Sequence, residues 1–87
     1  MNNGSVRRLL ALPDYNNISI ELPLQGDSEL EVLKTIAQAN EYLIDWANTI
    51  LKSKQVNQGR SVIDALTHET VTIKERIFEL SNITNNQ

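Results

Sequence analysis

Few side chains in this sequence are of a type and spacing that could do chemistry, and each has a simpler explanation beside it. His68 is the single histidine. An imidazole can act as a general base or a metal ligand, but no second histidine and no cysteine are present to complete a ligand set. On a helix His68 falls roughly opposite the apolar stripe, with Thr67 and Glu69 at its sides, and reads as a solvated surface residue. Asp27, Glu29 and Glu31 could be imagined as a cation site. They sit where a helix is expected to begin, and there negative charge complements the free N–H groups of the first turn. The lack of cysteine also excludes disulfides, thiolate metal sites and cysteine nucleophiles. No G-x-G-x-x-G, Walker loop, zinc spacing, nucleophile elbow or H-E-x-x-H pattern occurs. The sequence therefore implies a non-enzymatic protein, with no catalytic residue, cofactor or metal.

The remaining chemistry is that of binding. Lys52, Lys54 and Arg60 have only Asp64 as a nearby acidic counterweight, and together with Arg7 and Arg8 they are the candidates for an anionic partner. A net charge of -3 opposes general affinity for nucleic acid without forbidding a local basic patch. The sequons at Asn3, Asn17 and Asn82 are attributed to chance in an asparagine-rich chain. No apolar run approaches the ~20 residues of a membrane span, and Leu9 to Leu12 is too short for a signal-peptide core. A cytoplasmic protein without membrane contact is the expectation.

Two helices must position these groups. Ser28 with Glu31 three residues on forms a capping box, and the periodic stretch behind it should run to about Lys54, whose charge with that of Lys52 would favour the helix end. Val56-Asn57-Gln58-Gly59 should then break the chain. A second helix should start at a Ser61–Asp64 cap and end near Asn82. Thr70 to Lys74 alternates as a strand would. Helical spacing of Ile63, Leu66, Thr70, Ile73, Ile77 and Leu80 decides against a strand, since alternation continued past Ile73 would put Glu75 on the apolar face. Upstream, a cluster of turn formers from Pro13 to Asn17 separates Leu9 to Leu12 from the alternating Ile18, Ile20 and Leu22, so residues 6–24 read as an extended arm or a β-hairpin. Pro23 confines that strand to an edge or an end. Residues 1–5 and 83–87 read as disordered, and 27–82 as an antiparallel helical hairpin.

An antiparallel register about Asn57 brings Leu51 near Ile63 and Ile44 near Thr70, with Glu41 beside Lys74 and Lys52 beside Asp64. The first helix is apolar over roughly 200°, twice what the second can cover. Its uncovered arc, Val32, Ala39, Tyr42, Leu43, Trp46 and Ile50, is assigned to an oligomer interface, or else to cover by residues 6–24. Asn40 lies in the middle of the whole apolar arc of the first helix and must find polar partners there or be costly. Val71 and Phe78, one heptad apart on the second helix, join Lys52, Lys54 and Arg60 as candidate partner-binding residues.

Two short pieces resemble ribbon-helix-helix DNA-binding proteins. Ile18-Ser19-Ile20-Glu21-Leu22-Pro23 before a helix is similar to the strand that those proteins place in the major groove, and Gly59-Arg60-Ser61-Val62 is similar to the turn before their second helix. The resemblance implies a DNA-binding regulator. Against it stand a first helix about twice too long and an outward Glu21, whose charge opposes phosphate. The reading overall is an α+β, mainly α chain in which a strand or β-hairpin precedes a long two-helix hairpin. Dimerisation should complete it as a four-helix bundle. Its expected role is a self-associating protein–protein interaction module, acting as adaptor, inhibitor or small subunit of a larger assembly.

Overall fold

The computed structural model describes residues 4–12, 17–51 and 53–85, with side chains at all of these except 53–58, 84 and 85. Strands β1 (Ser5–Leu10) and β2 (Ile18–Pro23) are followed by helices α1 (Glu29–Ile50) and α2 (Ser53–Asn85). The α+β, mainly helical class is as expected.

The choice between arm and hairpin falls to the hairpin. β1 and β2 pair antiparallel, with Val6 opposite Leu22, Arg8 opposite Ile20 and Leu10 opposite Ile18. Side chains alternate across a strand, so these six share the face turned to the helices, while Ser5, Arg7, Leu9, Ser19 and Glu21 are exposed on the other. Order reaches further toward the N-terminus than expected: Ser5 is in β1, and the Gly4 carbonyl accepts the Leu24 N–H at 2.9 Å. Of the turn formers only Asn17 is described; residues 13–16, like 1–3, lie outside the described residues.

α1 starts as its sequence implies. Ser28 is the N-cap, its Oγ accepting the Glu31 N–H at 3.2 Å, and Glu29 and Glu31 occupy the first turn. Its end is a correction. The helix stops at Ile50, not near Lys54, because Leu51 turns extended (φ −75°, ψ 126°) and inserts its side chain into the core. Lys52 is outside the described residues, and Lys54 lies in the first turn of α2 rather than the last turn of α1.

α2 likewise departs from expectation at both ends. It begins at Ser53, not Ser61, and continues past Asn82 to Asn85, so Ser61 and Asp64 are helix interior and not a cap. The expected break at Asn57-Gln58-Gly59 contains no proline; asparagine and glutamine each cost a helix well under ~1 kcal/mol and glycine about 1. Tertiary packing outweighs so weak a signal, and Gly59 is buried within the helix. The β-branched run is helical, as the spacing predicts. Its threonines are accommodated by turning their hydroxyls onto the preceding turn: Thr67, Thr70 and Thr72 donate to the carbonyls of Ile63, Leu66 and His68 at 2.8, 2.7 and 3.2 Å.

The core lies where the hairpin meets both helices, and joins Leu10, Leu12 and Ile18 to Leu43, Ala47 and Leu51, with Ile63 and Leu66 from α2. Both strands pack on α1. The Cα extents are 51 × 28 × 14 Å, and a 33-residue helix at about 1.5 Å per residue accounts for the longest of them.

Candidate functional site

α1 has two flanks that the rest of the chain treats differently. On the first, small and aliphatic residues let neighbours approach: Ala47 is completely covered and Leu43 is 1% exposed, while Ala39, also completely covered, lies beside Trp46 at i,i+7. Ala39 and Leu43, expected at an oligomer interface, are thus enclosed by their own chain. Leu43 shares the core with Leu10, Leu12 and Ile18 of the hairpin, which is the alternative that the wide apolar arc left open.

The same flank carries a buried polar junction. Asn40 is fully buried, and its Nδ2 donates to Glu69 Oε1 at 3.1 Å. That oxygen also accepts from Arg8 Nη2 at 2.6 Å. One carboxylate of α2 therefore ties β1 to α1. Asn40 Oδ1 has no hydrogen-bond partner, which leaves the junction incomplete. The polar requirement of Asn40 was legible in the sequence; Glu69 was not, because only the packing of three elements shows that they converge. Arg8, considered for an anionic partner, is committed to this junction.

On the second flank the large side chains are only about half covered. Tyr42 is 52% and Trp46 46% exposed, one turn apart on α1. With Ile20 and Leu22 of β2 and with Asp45 and Thr49 they line an open, largely apolar groove of about 570 Å³. Val32 and Ile50 are half-buried. The contribution of Ile20 and Leu22 could not be read from alternation alone, since that fixes which residues share a face but not beside which flank of α1 the strand lies.

α2 presents a separate apolar strip. Val71 is 50% and Phe78 67% exposed, and with Lys74, Glu75 and Glu79 they border a shallow depression of about 590 Å³. Its charges are largely committed. Lys74 Nζ meets Glu41 at 2.7 Å, the pair expected from the antiparallel register. Arg76 spans both helices, bonding Glu29 at 3.1 and 3.4 Å and Glu79 at 3.3 Å. The hydrogen bonds to Glu29 and then Glu79 hold the Arg76 guanidinium above its ordinary pKa, further securing a charge that is permanent at any physiological pH.

The basic groups do not form a described cluster: Arg60 is exposed on α2, Lys52 lies outside the described residues, and the Lys54 side chain is not described. The Lys52–Asp64 pairing therefore falls outside as well. His68 is exposed, as expected. Among the described residues no group of three or more His, Cys, Asp or Glu side chains could hold a metal ion, and no helix is long and apolar enough to cross a membrane. The segment from Gly59 to Val62 is helix interior, so the resemblance to a turn before a second helix has no turn beneath it. Comparison of the chain with protein-family models, with curated proteins and with solved structures returns no match.

Proposed function

We propose that this chain is a non-enzymatic protein–protein interaction module, an adaptor, inhibitor or small subunit of a larger assembly, that self-associates through the open flank of α1. The observation that supports this is the pair Tyr42 and Trp46, half-exposed side by side and continuous with Ile20 and Leu22 in one groove. Aromatics with a polar tip are concentrated in interface cores, where each buries a large area at small entropic cost. Two copies joined on this flank contribute four helices to one assembly, the counterpart of the bundle expected from the sequence. Val71 and Phe78, on a different face, remain for a heterologous protein partner. The test is sedimentation or light scattering across concentration. A dimer or larger species at micromolar concentration is expected, and a monomeric mass throughout would refute it.

A further inference from the structure

The groove beside Tyr42 and Trp46 is bounded by a strand edge, and the hydrogen-bond parity of the hairpin shows what that edge offers. The bond from Leu24 N–H to the Gly4 carbonyl extends the ladder by one pair beyond Ser5 and Pro23. In an antiparallel ladder, opposed residues alternate between exchanging hydrogen bonds and not. Gly4 and Leu24 are a bonded pair, so Val6 with Leu22, Arg8 with Ile20 and Leu10 with Ile18 are bonded too. Ile18, Ile20 and Leu22 therefore direct their backbone groups at β1. Ser19 and Glu21 direct theirs to the other side, where no described strand pairs with β2. The edge of β1 differs, because its flank faces α2 through the Arg8–Glu69 ion pair. The open donors and acceptors thus lie along the same groove as the exposed aromatics.

Resting on the self-association proposed above, we propose that a second copy of this chain docks along the open edge of β2, antiparallel to it and with the two Ile20 residues opposite each other. The strand is self-complementary in that register. Ser19 of each copy exchanges two backbone hydrogen bonds with Glu21 of the other, four in all. On the outer face each Glu21 lies between Arg7 of its own hairpin, its register partner, and Ser19 of the second copy, so unlike or neutral groups face each other in every row. On the inner face Ile20 meets Ile20, and Leu22 meets Ile18. The symmetric register centred on Glu21 would oppose two carboxylates, which destabilises a strand pair, and the one centred on Ser19 would leave only the Ser19–Ser19 pair bonded within the strands. Pro23 faces the open edge without an N–H to offer and falls opposite Asn17, one residue outside the second copy's strand, so the ladder ends at the two Ser19–Glu21 pairs.

The geometry below the sheet agrees. A two-stranded hairpin is about 9.6 Å wide at a strand spacing of about 4.8 Å, so hairpins joined edge to edge have centres about 9.6 Å apart. Packed helices lie about 8–10 Å apart. Because both strands of each hairpin pack on its own α1, the pairing sets the two α1 helices side by side at contact distance, with Tyr42 and Trp46 of each turned toward the other. A strand pair alone is marginal in water; the aromatics, each presenting on the order of 100 Å², supply the apolar area that makes the contact stable.

Single-cysteine variants test this cleanly in a chain without cysteine. Opposed residues of a non-bonded antiparallel pair have Cα atoms about 4.5 Å apart, within disulfide reach. Ile20→Cys should therefore give a disulfide-linked dimer on mild oxidation. Leu22→Cys should give little, because its two copies would be about 13 Å apart along the strands. Ser19→Pro removes a donor that faces the open edge and none that faces β1, so it should keep its helical circular dichroism and run as a monomer. If Ser19→Pro failed to fold, the two cysteine variants would still decide the matter. A wild-type dimer in which Ile20→Cys does not cross-link overturns the β2 pairing and leaves self-association through α1 standing. A wild-type monomer at every concentration overturns both.

Discussion

The two flanks of α1 belong to the same helix, yet one is enclosed within the chain and the other is left half-exposed. The closed flank carries Leu43 and Ala47, aliphatic side chains that share the core with the hairpin and α2. The open flank carries Tyr42 and Trp46, too large to sit beneath a closely packed strand, and the chain leaves them half-exposed beside the edge of β2. Apolar character alone does not distinguish a covered face from a half-exposed one; side-chain volume and the placement of polar groups do. The closed flank also spends its polar groups inward, on the junction of Asn40, Glu69 and Arg8.

The sharpest way to break the closed flank is through Asn40. Asn40→Asp places a second carboxylate, fully buried, against Glu69. Arg8 is already bonded to Glu69, and destabilisation of about 3 kcal/mol at neutral pH is expected from a poorly paired buried charge. Burial and Glu69 both raise the pKa of the new group above its unfolded value. The deficit is therefore largest above the folded pKa, and it shrinks as pH falls through that value toward the unfolded one. Urea unfolding at pH 7 and pH 4 checks the sign, and a deficit that grew at low pH would contradict the placement of Asn40. Asn40→Leu should instead gain about 1 kcal/mol, because it removes the unpartnered Oδ1 along with a hydrogen bond to a half-exposed carboxylate.

Leu43→Ala tests the apolar part of the same flank. A leucine this enclosed should cost about 2–5 kcal/mol when truncated, the range set by how far the hairpin can settle into the cavity. Were the loss below 1 kcal/mol, the hairpin would not be the cover that the fold describes.

On the open flank the prediction separates stability from association. Trp46→Ala should cost the unfolding free energy of a single chain less than Leu43→Ala does, since the ring is only about half covered. It should weaken self-association by about 2 kcal/mol or more, roughly 30-fold, as truncation of a central interface aromatic does. Measured together, unfolding at low concentration and sedimentation at high concentration sharpen the contrast with Leu43. A Trp46→Ala variant that lost stability without losing association would place the ring in an intramolecular core.

What could be read in advance follows the range of the interactions. The Ser28 cap, the helical reading of Thr70 to Lys74 and the Glu41–Lys74 pairing depend on spacing along one helix or between two, and all appear in the structure. The width of the α1 arc was equally legible. Its division between hairpin and solvent was not, because this depends on how Ile18, Ile20 and Leu22 settle across the helix. The chain reversal was misplaced for a similar reason. Asn57, Gln58 and Gly59 look like a break, and Leu51 does not, but burying Leu51 in the core fixes the turn beside it.

The start of α2 determines which of its residues meet α1, and Lys54 reports on that start with the smallest effect considered. A lysine near the end of a first helix, as the local sequence suggests, would favour the negative end of that helix dipole. In the structure position 54 is instead in the first turn of α2, the positive end of that helix dipole, where a cationic residue type is unfavourable. The two placements predict opposite signs. Lys54→Glu should stabilise the chain by about 0.3–1 kcal/mol at low ionic strength if α2 begins at Ser53, and destabilise it by a similar amount if α1 extended that far. Added salt should shrink the difference in either case, because the charge acts near the surface. Thermal unfolding of the single variant at low and high salt resolves an effect of this size. A stabilisation that fades with salt places the reversal at Leu51, and with it the register that turns Ile63, Leu66 and Thr70 inward and leaves Val71 and Phe78 on the surface.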